Sequence, residues 1–123
     1  MQTKPIQFDV PKKEVIAIDF DGTILDNHFP KIENPRMEVI EFIQRNRKRF
    51  TWILWTCRTG DQLQKATDYM RNQFGIVFDY VNENTPDNIK KWGGDTRKVF
   101  SDYYVDDRNE LLNNIPGARK VKE

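Results

Sequence analysis

Carboxylates in two short runs dominate the residues able to do chemistry. Asp19 and Asp21 lie two apart in Asp19-Phe20-Asp21-Gly22-Thr23, and Asp106-Asp107 closes the apolar run Tyr103-Tyr104-Val105. Between these runs, Thr56 ends Trp52-Ile53-Leu54-Trp55 and is followed by Cys57 and Arg58. Two carboxylates brought to ~4 Å repel by roughly 4 kcal/mol at an effective dielectric of 20, so such a cluster calls for a cation. Oxygen donors without histidine or a cysteine cluster suit a hard ion. A small carboxylate count that leaves room for waters and a substrate phosphate favours magnesium over other hard cations. Magnesium beside carboxylates points to phosphoryl chemistry, because it offsets charge on the phosphate and lets an anionic nucleophile approach an anionic substrate.

The elements that must position these residues can be read from the hydrophobic pattern. Val15-Ile16-Ala17-Ile18 is short, apolar and rich in β-branched residues, the pattern of a strand buried on both faces, and Asp19 closes it. Turn-formers fill Gly22 to Glu33. Asn34-Pro35 reads as an N-cap and first helical residue, heading an apolar face of Met37, Ile40 and Ile43 that fades into the cations Arg45 to Arg49. Phe50 to Trp55 is a second strand. A helix begins near Asp61, presents Leu63, Ala66, Met70 and Phe74, and stops at Gly75. Ile76 to Val81 contains a third strand, Thr85-Pro86 caps a short helix through Trp92, and Tyr103 to Val105 is the fourth strand. Strands alternating with helices imply an α/β fold, with right-handed crossovers, a mainly parallel sheet and helices on both faces in a Rossmann-like three-layer sandwich. Ligands in such sheets sit beyond the carboxyl ends of the strands, where Asp19, Asp21, Thr56, Asp106 and Asp107 all fall.

These residues resemble the haloacid dehalogenase superfamily of phosphohydrolases, whose signature opening is Asp19-Phe20-Asp21-Gly22-Thr23 after a hydrophobic strand. The resemblance extends over nearly the whole chain. It implies that Asp19 attacks phosphorus to form an aspartyl-phosphate, and that Asp21 protonates the leaving group and later activates water. Thr56 would hydrogen-bond the phosphoryl oxygens, with Cys57 and Arg58 completing a substrate-binding loop. A lysine ahead of the last acidic motif would pair with nucleophile and phosphate. Lys98 is the best match, and Lys90 and Lys91 compete with it. Magnesium would be held by Asp19, the backbone carbonyl of Asp21, Asp106 and Asp107, with the order of directness between the last two left open. Family members usually carry an inserted cap domain, for which neither Gly22 to Asn34 nor Asn82 to Arg97 has room. The resemblance is therefore to a small capless member, whose open site suits a bulky phosphorylated substrate or closure by a second copy of the chain.

Composition narrows the alternatives. At 123 residues the chain fits one domain over 1–123, and 37% hydrophobic against 32% charged residues supports a packed core under a solvated surface. No apolar run approaches the ~20 residues of a membrane span, and Met1 to Lys13 lacks the apolar stretch of a secretory signal. The one cysteine accords with a reducing cytoplasmic compartment. A net charge of +1 provides no global field for nucleic acid, so that partner is not favoured. Arg58 is open to two readings, an anion ligand or a residue of the loop leading to the helix. Cys57 reads as a small packing residue, and His28 as an exposed loop residue. Besides the phosphomonoesterase, two readings stay open: a polynucleotide or nucleotide phosphatase, motivated by the open site, Arg58 and the basic run, and a catalytically idle phosphate-binding or interaction module.

Overall fold

The computed structural model of the protein describes residues 12–96 and 98–106. Its elements run β1 (Val15–Ile18), α1 (Met37–Asn46), β2 (Thr51–Leu54), α2 (Gly60–Phe74), β3 (Tyr80–Val81), α3 (Pro86–Trp92) and β4 (Tyr103–Val105). The four strands form one sheet in the order β3-β2-β1-β4, and every neighbouring pair is parallel. The architecture is α/β and Rossmann-like.

Alternation along the strands divides the core. Ile16, Ile18, Trp52 and Leu54 face one side, where they pack with Val39, Ile40, Phe42 and Ile43 of α1 and Ala66 and Met70 of α2. Val15, Ala17 and Ile53 face the other side, with Val99, Tyr80 and Tyr104. This is what right-handed crossovers require. Passing from β1 to β2 to β3 moves across the sheet in one direction and keeps α1 and α2 on one face, while the return to β4 reverses direction and puts α3 on the other. Trp52 anchors the first layer, fully buried, edge-on to both Phe42 and Phe50 at 6.1 Å, with its indole N–H donating to the Asn46 carbonyl. Burial of a large apolar side chain of this kind stabilises by roughly 1.5–3 kcal/mol.

Helix boundaries follow local chemistry, with one correction. α2 ends at Gly75, whose φ of 66° lets its N–H reach back to the last turn. Thr85 caps α3 by accepting from the Asn88 N–H, and Pro86 occupies its first turn, as the sequence indicated. α1, in contrast, starts after Arg36 rather than at Asn34-Pro35. Asn34 is left-handed at φ 55°, Pro35 bridges Leu25, and the Arg36 N–H donates to the Ile24 carbonyl, so this segment is stitched to the loop after β1 before the helix begins. The third strand lies within Ile76 to Val81, at Tyr80–Val81, while the Ile76 N–H is spent on the end of α2. No helix among the described residues is long and apolar enough to cross a membrane.

Candidate active site

Strand register brings the candidate residues into one row. Ile18 pairs with Leu54 and with Val105, and Leu54 pairs with Val81, so the next residues along each strand, Asp19, Trp55, Asp106 and Asn82, stand side by side at the carboxyl edge. The row is knitted together by the Asp19 N–H to the Val105 carbonyl at 3.0 Å, the Trp55 N–H to Ile18 at 2.9 Å and the Asn82 N–H to Leu54 at 2.8 Å. Strand order reverses between β1 and β4, which makes the crevice between Asp19 and Asp106 the topological switch point of the sheet.

Beyond Asp19 the chain turns tightly around one carbonyl. The Phe20 oxygen accepts from the N–H groups of Thr23, Ile24 and Leu25, and the Gly22 N–H donates to Leu25. Gly22 sits at φ 89°, a conformation that side chains resist, so the Asp-Gly step is needed for the turn. Phe20, Ile24 and Leu25 are fully buried and nail this loop to the core, leaving Asp19 and Asp21 half-buried at the surface. Asp19 Oδ1 accepts from the Phe20 N–H at 2.8 Å. The hydroxyl of Thr23 is buried without a hydrogen-bond partner.

Thr56 is held from two sides. Its N–H donates to Asn82 Oδ1 at 2.8 Å, and its Oγ1 accepts from the Arg58 N–H at 3.1 Å. Asn82, at φ 53°, adopts the left-handed backbone that asparagine tolerates. Two concavities meet here. One, of about 270 Å³, runs from Asp19 and Thr56 toward Trp55, Tyr104 and Asp106. The other, of about 290 Å³, runs from Asp19 and Thr56 toward Asp21, Asn27, Phe29 and Arg58. Cys57 is exposed and lines both.

Arg58 faces inward. Its side chain is fully buried, and its guanidinium grips Asp21 through Nε to Oδ2 and Nη2 to Oδ1, both at 2.7 Å. Longer bonds at 3.4 Å reach the carbonyls of Gln62 and Pro30. The guanidinium also lies between the rings of Phe20 and Phe29, 5.1 and 5.0 Å from their centroids. Its donors thus tie the Asp21 loop, the segment carrying Phe29 and the start of α2 together, rather than meeting an anion from solvent.

No protein-family model matches the chain, and no curated protein does. A solved structure does match, described as that of a conserved protein coded by a locus from Bacteroides thetaiotaomicron: TM-score 0.68 and 31% identity over 80% of this chain and 79% of that one. The chain belongs to the family of that conserved protein. The description of the Bacteroides relative carries no reaction, so kinship with it extends to the fold, and the chemistry has to come from the residues above.

Within this family fold, the structure gathers some of the residues that the sequence singled out and leaves others apart. Asp19, Thr56, Cys57 and Asp106 line one concavity, with Asp21 and Arg58 adjoining through the other. Asp107 and Arg97 lie outside the described residues. Among the described residues, neither concavity at Asp19 is lined by a lysine. Lys98 is exposed and engaged through its backbone carbonyl by Asn84 and Thr96, while Lys91 stacks over Trp92 and Phe100. His28 lies 3.7 Å from Glu33 in the exposed loop. Among the described residues no group of three histidine, cysteine or acidic side chains gathers closely enough to hold a metal. Asp19 and Asp106 still supply two hard oxygen donors to a single crevice, which fits an ion that keeps much of its own water.

Asn82 reads from the sequence as a loop residue like His28, and the structure gives it a place in the site through the Thr56 N–H. An asparagine following a strand is a common loop residue, and its grip on the Thr56 N–H spans 26 positions. Its only local signal is a place at the carboxyl edge of the third strand.

Proposed function

We propose that the chain is a magnesium-dependent phosphomonoester hydrolase of the haloacid dehalogenase type, acting through an aspartyl-phosphate on Asp19. The observation that carries this reading is the register that sets Asp19, next to Thr56, beside Asp106 at the reversal point of the parallel sheet. The residues that would hold magnesium are Asp19, the Asp21 carbonyl, Asp106 and Asp107. When bound, the ion would offset the charge of the phosphate and of the carboxylates around it.

The chain's own groups then divide the work. An Asp19 oxygen attacks phosphorus as the ester oxygen leaves, and water later cleaves the acyl phosphate to restore the carboxylate. The Thr56 hydroxyl donates to a phosphoryl oxygen, with its backbone fixed by Asn82. Asp21 flanks the same crevice, and both its oxygens accept from a group that can only donate. In that pairing it is the proton acceptor that activates water in the second half-reaction. Giving a proton to the leaving group in the first half requires one oxygen to leave the guanidinium. The short stretches Gly22 to Asn34 and Asn82 to Arg97, which leave no room for a cap, support a capless, open site, and the single cysteine supports a reducing compartment.

Purified protein with magnesium, screened against phosphorylated sugars, nucleotides, peptides and oligonucleotides, is expected to hydrolyse at least one class and to trap beryllofluoride on Asp19. Asp19→Asn is expected to abolish both while the circular dichroism spectrum is kept. Retained turnover in Asp19→Asn removes Asp19 as the attacking group. A blank screen with no beryllofluoride adduct sinks the hydrolase reading and favours a phosphate-binding or interaction module.

A further inference from the structure

We propose that Trp55 and Tyr104 form a subsite for a planar ring, so that the phosphomonoesters handled at Asp19 are those of ring-bearing alcohols such as nucleosides. The inference rests on the hydrolase reading for its phosphate and on separate residues for its ring. Trp55 stands in the same row as Asp19 and Asp106, one residue before Thr56. Among the described residues of this edge it is the large apolar side chain left exposed, at 39%. Its ring packs against Tyr104 at 5.3 Å with a tilt of 51°.

This wall is rigid. The Trp55 backbone is held by the Ile18 carbonyl, and the adjoining Thr56 N–H by Asn82. Tyr104 is pinned through its hydroxyl, which donates to the Val99 carbonyl and accepts from the Ser101 N–H. Aromatic surface fixed on strands binds a flat partner with little ordering cost. Other exposed rings of the chain are differently used: Phe29 has Arg58 over it, and Trp92 and Phe100 share Lys91. Trp55 instead borders a crevice that also holds the nucleophile.

Size and charge define what fits. At about 270 Å³ the crevice lies just below the ~300 Å³ at which small-molecule sites begin, which suits one ring and not a macromolecule. Among the described residues its charged lining is Asp19 and Asp106, without a lysine or arginine. Beside the reaction centre, an uncharged ring meets two aromatic faces, those of Trp55 and Tyr104. Arg58, committed to Asp21, does not line this crevice.

The test measures kcat/KM of the full chain with magnesium for AMP and for glycerol phosphate, in the native protein, Trp55→Ala and Trp55→Phe. Stacking of one base on an aromatic ring predicts that the ratio of AMP to glycerol phosphate falls about tenfold in Trp55→Ala and is largely restored in Trp55→Phe. In parallel, adenosine is titrated without metal while the indole N–H signals are followed by NMR, with Trp55 assigned from Trp55→Phe. The Trp55 signal is expected to shift while that of buried Trp52 stays. An unchanged ratio, or a Trp55 signal indifferent to adenosine, overturns the subsite even if both esters are hydrolysed. Preference for phosphocholine over AMP also overturns it, since the rings would then serve a cation. A chain inert to every phosphomonoester whose Trp55 signal still shifts with adenosine removes the hydrolase reading and leaves the ring subsite standing.

Discussion

The pair between Arg58 and Asp21 is open to a thermodynamic test that needs no substrate. Removing one partner of a buried ion pair costs about 3–5 kcal/mol, because the other charge is stranded. Arg58 has no exposed side-chain surface and Asp21 keeps 15% of its own at the mouth of the crevice, so the two deletions should differ. Arg58→Met leaves a carboxylate that water can reach and inserts a flexible thioether between Phe20 and Phe29, which places the loss near the low end, ~3 kcal/mol. Asp21→Asn strands a guanidinium with no route to solvent and presents it with an amide donor, so ~4 kcal/mol is expected. With both changed, no charge is stranded, and the double variant should be at least as stable as the worse single one, far from their sum. The resulting coupling is at least ~3 kcal/mol, measured by urea unfolding of the four proteins. A fall in Tm of about 10 °C should accompany Arg58→Met. A coupling within ~0.5 kcal/mol of zero would refute the argument, since independent sites add to that accuracy.

Three further outcomes follow from the same contacts. Asn82→Gly keeps the left-handed backbone but frees the Thr56 N–H; kcat/KM for any phosphomonoester turned over should fall about tenfold, with stability by urea unfolding changed by no more than ~1 kcal/mol. Thr23→Val removes a buried hydroxyl that has no partner and keeps its shape, so the unfolding free energy should rise by ~1 kcal/mol, and a destabilised variant would show that the hydroxyl is satisfied in solution. Tyr103 titrates above its ordinary value because burial disfavours the phenolate and Glu14 and Asp102 add negative charge nearby, and burial acts on Tyr69 in the same direction. The folded state therefore holds these protons more tightly than the unfolded chain. Stability from this source is complete below the unfolded value of about 10 and is lost as pH rises beyond it, so urea midpoints should fall above about pH 10, and less steeply in Glu14→Gln.

Local chemistry in the sequence is sufficient for much of this fold. Val15-Ile16-Ala17-Ile18 has no reading but a buried strand, and Thr85 with Pro86, followed by Gly93, marks both ends of α3. Asn34-Pro35 carries the same kind of signal and misleads, because the loop after β1 claims its backbone first, the Asp26 N–H donating to the Asn34 carbonyl and Leu25 bridging Pro35. The same limit governs the site. Alternation of strands and helices suffices to put Asp19, Thr56 and Asp106 at one edge, since register alone aligns them. The inward turn of Arg58 depends on a carboxylate 37 residues away and on two rings, none of which leaves a trace in the pattern around it. Asp79 is a similar case: it accepts from the Trp52 N–H and takes both ends of the Arg47 fork, so part of the basic stretch after α1 is internally matched.

The strand order has a consequence for the chain as it leaves the ribosome. β1, β2 and β3 are made in sequence and pair with their immediate neighbours, so the larger apolar layer with α1 and α2 can assemble while the final quarter of the chain is still being synthesised. β4 must then come back to the far side of β1, and until it docks, one flank of the central strand exposes unpaired N–H and C=O groups to any other nascent strand. Asp106 arrives with that last docking. The row of strand-end residues is thus completed in the same step that covers the open flank of β1, and a message cut short before Tyr103 yields a product lacking both.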